Sequence, residues 1–220
     1  MISLKEALVR KERGIGNIDQ MREEEILNFL LDHYVIRDDM PITSVEKLKP
    51  QVHFKDNIID VDTNLSLVKL PSNNSFTNGL FKFGNVKGSF GIHSKLKDLK
   101  SIPNNAPESV GDFFLSKTQI SSLEGCPKII LGNLVCHQCD NLMDLTGIDY
   151  VGGNIILYSC SKLNNLKGLS ADFKHDLYIP GSAITSLKDV PAGVKHIYIN
   201  KGMKKQIVDI GIFSGKIRYA

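Results

Sequence analysis

The residues best suited to chemistry are Cys136-His137-Gln138-Cys139, two thiols bracketing an imidazole, with Cys126 and Cys160 elsewhere in the chain. Zinc wants four converging ligands, so a CxxC of this kind asks for a second spaced pair. No second pair follows. The histidines (His33, His53, His93, His137, His175 and His196) form neither HxxxH nor HExxH. Gly14-Ile15-Gly16 comes after a helical pattern, whereas a phosphate-cradling glycine loop follows a strand. The chain has no serine-nucleophile motif and no Walker signature. Glu23-Glu24-Glu25 lies near the start of a predicted helix, where negative charge suits the macrodipole, and Asp38-Asp39 stands apart from it. Nothing in these residues calls for catalytic groups, a cofactor or a metal, and the chain reads as a non-enzyme.

The elements that carry the cysteines explain them differently. Between Gly111 and Asn200 the chain repeats itself, with copies opening at Gly111, Gly132, Gly153, His175 and Lys195. The period is 21 residues with single-residue slips, and a fixed repeat of that length marks a solenoid. Each copy opens with an alternating apolar pair: Phe113/Leu115, Leu134/Cys136, Ile155/Leu157, Leu177/Ile179 and Ile197/Ile199. Alternation with period two predicts a short strand with these side chains on one face. A small polar or thiol column follows at Thr118, Cys139, Cys160 and Ser182, then apolar columns at Ile120, Leu142, Leu163, Ile184 and at Leu123, Leu145, Leu166, Leu187. Two more close each turn, at Cys126, Ile148, Leu169, Val190 and at Ile130, Val151, Phe173, Val194. One turn cannot bury these side chains alone, but stacked turns make each column a continuous ladder. Every cysteine falls in such a column, and cysteine is among the most readily buried residue types. Core packing is therefore the expected role of all four. The small polar column is expected to bond the backbone of neighbouring turns. Glycines at the strand entries (Gly111, Gly132, Gly153) and bends (Gly125, Gly147, Gly168) are expected to supply unusual dihedrals.

The motif LxLxxN/CxLxxL, present as Phe113-x-Leu115-x-x-Thr118-x-Ile120-x-x-Leu123 and, with one extra residue before the next leucine, as Ile155-x-Leu157-x-x-Cys160-x-x-Leu163-x-x-Leu166, resembles the leucine-rich repeat. The wording SLEGCP…GNLVC is similar to the irregular leucine-rich repeats of many large bacteriophages. Thr, Cys, Cys and Ser stand where that family carries Asn, and the return segments EGCPKIIL and TGIDYVG are too short and too rich in Gly and Pro for a helix. The resemblance implies a leucine-rich-repeat-like β-solenoid. For function it implies a phage factor that binds and inhibits a host defence protein or toxin.

The expected fold is mostly β with some α. Residues 1–55 form a helical N-terminal cap, residues 56–200 the solenoid (clear repeats over 111–200), and residues 201–220 a C-terminal cap. Ser3 with Glu6 starts a short helix through Glu12, and Gly14 to Asn17 break it. Asp19 caps a second helix whose stripe is Met21, Ile26, Leu27, Phe29 and Leu30. Thr43 or Ser44 caps a third piece, SVEKLK. Ile58-Ile59 with Leu65, Leu67 and Leu70 form a degenerate turn, and SNNSFTNG (72–79) is a loop by composition. Leu80, Phe81 and Phe83 before Gly84-Asn85 read as one strand of a hairpin. Phe90, Ile92, Leu96, Leu99 and Ile102 form another turn, lengthened by PNNAPES. The tail, with Ile207, Ile210, Ile212 and Ile217, closes the far end.

A solenoid presents surface more readily than a pocket. Between the inward pairs lies an outward column, Phe114, Val135, Ile156, Tyr178 and Tyr198, flanked by Ser116, His137, Tyr158, Pro180 and Asn200. Alternate strand residues face opposite sides, so these cannot share the repeat core. An apolar and aromatic ladder there marks a binding or self-association face. Phe114, Val135, His137, Ile156, Tyr158, Tyr178 and Tyr198 are the expected partner-binding residues, unless the N-terminal helices fold over them. The partner is expected to be another protein, a host protein if the chain is viral. The alternatives are single-stranded nucleic acid stacked on the aromatics, and self-association into a homo-oligomer or assembly. The formal charge of +3 argues only weakly for nucleic acid. No apolar run reaches membrane-spanning length, and MISLKEALVRKERG places charges where a signal peptide carries its apolar core. The expected compartment is the cytoplasm.

Overall fold

The alternating segments of the repeat all become strands, and the strands line two walls of a coil. The computed structural model describes residues 18–37, 39–55, 58–70, 81–103, 106–209 and 213–219. Expected features at 3–12, 14–17 and 72–79, and at Asp38, Leu80, Ile210 and Ile212, lie outside the described residues. An N-terminal cap comprises α1 (Ile18–His33), β1 (Tyr34–Arg37), β2 (Pro41–Ile42), α2 (Val45–Leu48) and β3 (Val52–Lys55). The coil follows with β4 (Ile58–Val61), β5 (Asn64–Leu67), β6 (Lys82–Val86), β7 (Phe90–Ile92), β8 (Ser109–Val110) and β9 (Phe113–Ser116). It continues through β10 (Ile129–Ile130), β11 (Leu134–His137), β12 (Tyr150–Val151), β13 (Ile155–Tyr158), β14 (Leu177–Tyr178) and β15 (His196–Ile199). The chain ends on α3 (Met203–Gln206) and β16 (Lys216–Tyr219).

From β4 to β13 successive coil strands alternate between walls, and β14 and β15 both follow in the first. The first sheet runs β16-β15-β14-β13-β11-β9-β7-β5-β1-β2 and the second β12-β10-β8-β6-β4-β3. This is a β-solenoid of about seven turns of some 21 residues, with a helix near the N-terminus. Within the coil all pairing is parallel, since each turn re-enters its wall in the same direction. Inward side chains stack in register, Phe113 on Leu134 on Ile155 on Leu177 on Ile197. The third side carries the columns at Ile120, Leu142, Leu163, Ile184 and at Leu123, Leu145, Leu166, Leu187, all buried. Return segments that are too short for helices instead carry two-residue strands, β8, β10 and β12, of a second sheet that the sequence reading did not anticipate.

Three elements depart from expectation. The strand β6, read as half of a hairpin, is parallel to β4 and β8, because the chain there is part-way round a turn rather than doubling back. The cap is not purely helical: β1 pairs antiparallel with β5, and β3 pairs antiparallel with β4. A sheet edge exposes backbone donors and acceptors. The added antiparallel strands β1 and β3 pair those groups on the first coil strands. Pro41 in β2 then gives the outermost strand one residue without an N–H. Third, β16 does not lie over the coil's end. It extends the first sheet beside β15, and all four of its residues are exposed. The end is covered instead by buried Met203 and Phe213 and partly buried Ile207. Gln206 also donates to the Ser182 and Ile184 carbonyls, at 3.4 and 3.3 Å.

Candidate interaction surface

Two polar ladders fix the ends of the strands on the first wall. At the entry, each Asn or Asp accepts from the backbone N–H of the equivalent residue one turn on. Asn64 takes the Ser89 N–H (2.7 Å), Asp112 that of Asn133 (2.6 Å), Asn133 that of Asn154 (2.8 Å) and Asn154 that of Asp176 (3.1 Å). Asp176 then meets the His196 imidazole at 2.9 Å. This column pairs amides that would otherwise lie orphaned between turns. The sequence reading missed it by placing the polar ladder one corner later. Its signal was visible in Gly111-Asp112, Gly132-Asn133 and Gly153-Asn154.

At the exit, Lys117, Gln138 and Ser159 hold φ near +55° (56°, 54° and 55°), followed in the next turn by Gly181 at 76°. These left-handed residues swing the chain inward, so that Thr118, Cys139, Cys160 and Ser182 are buried behind the strands. The expected bonding of that column to the backbone of neighbouring turns is found at Cys160 alone among its four residues, and the buried Ser182 hydroxyl has no partner among the described residues. Thr118 Oγ1 lies 3.5 Å from Cys139 Sγ, and the Cys160 thiol reaches the Cys136 carbonyl at 3.8 Å. The glycines divide by role. Bend glycine Gly147 has φ +117°, whereas no positive φ occurs at the entry glycines. Gly153 is required by contact instead: a Cβ there would sit 2.7 Å from the Gly132 carbonyl.

Between the two ladders the outward side chains align. Phe114, Val135, Ile156, Tyr178 and Tyr198 are successive register partners, and His137 pairs with Tyr158 in the neighbouring column. The Tyr178 and Tyr198 rings stack at 4.1 Å with 3° between planes, and Tyr158 lies 6.5 Å from Tyr178. Burial beside its neighbours, and then a hydrogen bond with Tyr198, push the Tyr178 phenol above its usual value. Phe114 is 40% exposed and Tyr158 37%; His137 is exposed, and the other four are half-buried. Pro180, expected on this face, is buried because the chain has already turned into the corner there.

The cap leaves the face open among the described residues. Ile26, Leu27 and Leu30 of α1 are buried, and Phe29 packs edge-on against Phe81 at 5.8 Å. The helix therefore lies on the coil's end. The same outward column continues where sequence reading stopped, through Gly91, Ser66 and Val35 on one side and Arg218 on the other. On the second wall Ile129, Leu131 and Tyr150 are also exposed, another feature the reading missed, since it assigned no strand there.

Cys136 and His137 are adjacent strand residues and so face opposite ways. Cys136, Cys139 and Cys160 are at 0% exposure while His137 is on the outer face, and the motif does not converge. Among the described residues no group of three or more His, Cys, Asp or Glu is placed to hold a metal ion. Also among them, no helix is long and apolar enough to cross a membrane. All four cysteines are free and buried. A hydrogen bond with Cys139, reinforced by burial, holds the Cys136 thiol well above its ordinary range. Cys139 is pulled the other way by its bonds with Cys136 and Cys160. Burial pushes Cys126 from 9.0 up to about 12.

Two expected results follow from the thiols. In native protein near neutral pH a thiol-disulfide reagent modifies none of them on the timescale in which all react in denaturant. Rapid labelling of the native chain would show that the columns open. The Cys126 thiol stays neutral in the fold after its unfolded counterpart has ionised. The unfolded state then binds fewer protons, so stability declines between pH 9.0 and about 12. A Cys126→Ala variant should show a flatter alkaline decline in urea melts, and an identical slope would remove this account.

No family model, curated protein or solved structure matches the chain.

Proposed function

We propose that this chain is a non-enzymatic protein-binding module that holds its partner against the outward ladder of the first sheet. Phe114, Val135, Ile156, Tyr178 and Tyr198 supply the central column, with His137 and Tyr158 beside it. The observation that carries this reading is the tyrosine cluster that the cap leaves open among the described residues, with Tyr178 and Tyr198 stacked at 4.1 Å on a parallel sheet. Aromatic side chains held rigidly lose little entropy on binding, and such residues dominate interface energetics. Nucleic acid is the weaker reading, because a single-stranded site needs a basic groove beside its aromatic platform and the segments around Tyr158 and Tyr178, NIILYSCSK and HDLYIPGS, are not notably basic. The mode of action would be occlusion of the partner's own working surface. The likeness to the irregular leucine-rich repeats of large bacteriophages supports a phage factor acting in the host cytoplasm, an anti-defence inhibitor of a host defence protein or toxin. Self-association is a second reading, favoured by the edge of β16, unpaired among the described residues, where Ile217 and Tyr219 are 39% and 49% exposed.

Affinity capture from host lysate is the test, with wild type beside a Tyr158→Ala/Tyr178→Ala variant and the captured protein then purified for titration. Loss of both anchors should weaken binding by about a hundredfold, or ~2.8 kcal/mol. The melting temperature should shift by only a few degrees. Equal capture by the variant would remove the ladder as the site. A concentration-dependent mass for the purified chain, abolished by charge placed on the β16 edge (Ile217→Lys/Tyr219→Lys), would establish self-association instead.

A further inference from the structure

The outward column is not continuous. Between Val35 on β1 and Phe114 on β9 it passes through Ser66 on β5 and Gly91 on β7. Adjacent strands lie ~4.8 Å apart, so the two walls stand about 14 Å from each other across a floor nearly bare of side chains. The result is a trough of about 230 Å³ lined by Val35, Arg37, Asn64, Ser66, Gly91 and Phe114 among others. Its walls are apolar, since Val35 and Phe114 are 37% and 40% exposed. Among the described residues Arg37 is the one charged residue in the lining, and no carboxylate pairs with it.

The fold does not require glycine at 91. Its φ is not positive, and a Cβ built there would meet Ser66 Oγ at 3.4 Å and Phe114 Cβ at 3.6 Å, ordinary contact distances. Glycine inside a strand weakens it, and it commonly marks a place where a ligand or another backbone approaches closely. The structural consequence of Gly91 is the trough itself.

We propose that this trough receives an apolar side chain of a protein partner, a Leu- or Phe-sized group, with a neighbouring Asp or Glu of that partner bonded to the Arg37 guanidinium. The inference rests on the reading of the chain as a protein-binding module and names the chemistry recognised at one end of its face. Charge complementarity selects the acidic segment, because among the described residues the lining offers the Arg37 cation and no anion. Arginine presents a planar fork that matches a carboxylate with two parallel hydrogen bonds. The apolar side chain fills the gap between Val35 and Phe114 that Ser66 and Gly91 leave empty.

The test selects a displayed library of random linear octapeptides on the full chain. Synthetic versions of the enriched sequences are then titrated against wild type, Gly91→Val, Arg37→Gln and Tyr158→Ala/Tyr178→Ala. The expected consensus places Asp or Glu within two positions of Leu, Ile, Phe or Met. Gly91→Val should weaken binding by about tenfold or more by filling the trough. Its melting temperature should hold or rise, because valine favours a strand. Arg37→Gln is exposed and leaves the core untouched, so it tests the carboxylate contact independently of folding; it should weaken binding by about threefold to tenfold and blunt the salt dependence. Three outcomes overturn the proposal: no enriched octapeptide, a consensus without acid, or undiminished binding to Gly91→Val. Peptides lost only with Tyr158→Ala/Tyr178→Ala would overturn the trough while leaving the tyrosine ladder standing as the site.

Discussion

Gly147→Ala is expected to destabilise the protein by about 3 kcal/mol, the sum of backbone strain and a forced shift of the preceding turn. Gly147 holds φ at +117°, a conformation that L side chains rarely adopt. A Cβ there would also overlap the Leu123 carbonyl of the turn below. That carbonyl is backbone in a stacked coil, so it cannot rotate away as a side chain would. For a chain of this size the loss corresponds to a fall of roughly 6–12 °C in melting temperature. Gly202 provides the control. Its φ is −65°, and a Cβ there meets nothing closer than Asn200 Oδ1 at 3.6 Å. Gly202→Ala should therefore melt within about a degree of wild type, since the substitution mainly restricts the unfolded chain. Indistinguishable melts for the two variants would refute the close-approach argument.

Phe113→Ala should cost about 3–5 kcal/mol, the usual range for deleting a buried aromatic ring. Phe113 is fully buried, and its ring stacks on that of Phe90 with centroids 5.8 Å apart and 3° between planes. The pair joins β7 to β9 at the point where the regular repeats begin. A solenoid's stability is close to a sum over turns and nearest-neighbour interfaces, so a weak interface divides it. Thermal unfolding should therefore broaden as well as shift. Hydrogen exchange should show the segment up to β7 opening separately from β9 onward. A single sharp transition lowered by less than ~1 kcal/mol would mean that the two rings do not form this junction.

Much of the coil was legible because its physics is periodic. Phe113/Leu115, Leu134/Cys136 and Ile155/Leu157 alternate as only a half-buried strand does, and their recurrence every 21 residues puts like on like. The burial of all four cysteines followed from column membership alone. The Asp112–Asn133–Asn154–Asp176 ladder was readable in principle but was overlooked, because short polar residues after glycine look like any turn. The hairpin assigned at Phe83 failed for a similar reason. Gly84-Asn85 is a turn signal, yet Lys82 to Val86 pair parallel to their neighbours, and strand direction is not written in the local pattern.

The sequence by itself determined the solenoid, its inward columns and the alignment of Phe114, Val135, Ile156, Tyr178 and Tyr198, because a fixed period allows few ways of burying those ladders. Tertiary structure decided what lies at the ends and on the second wall. The antiparallel pairing of β1 with β5 sets Val35 and Arg37 beside Ser66 and Asn64, across β5 and β7 from Phe114, although the cap shares no period with the coil. Where α1 lies, and so which face it leaves uncovered, depends on which apolar end of the stack needed closing. That is a property of the assembled coil and of no segment within it.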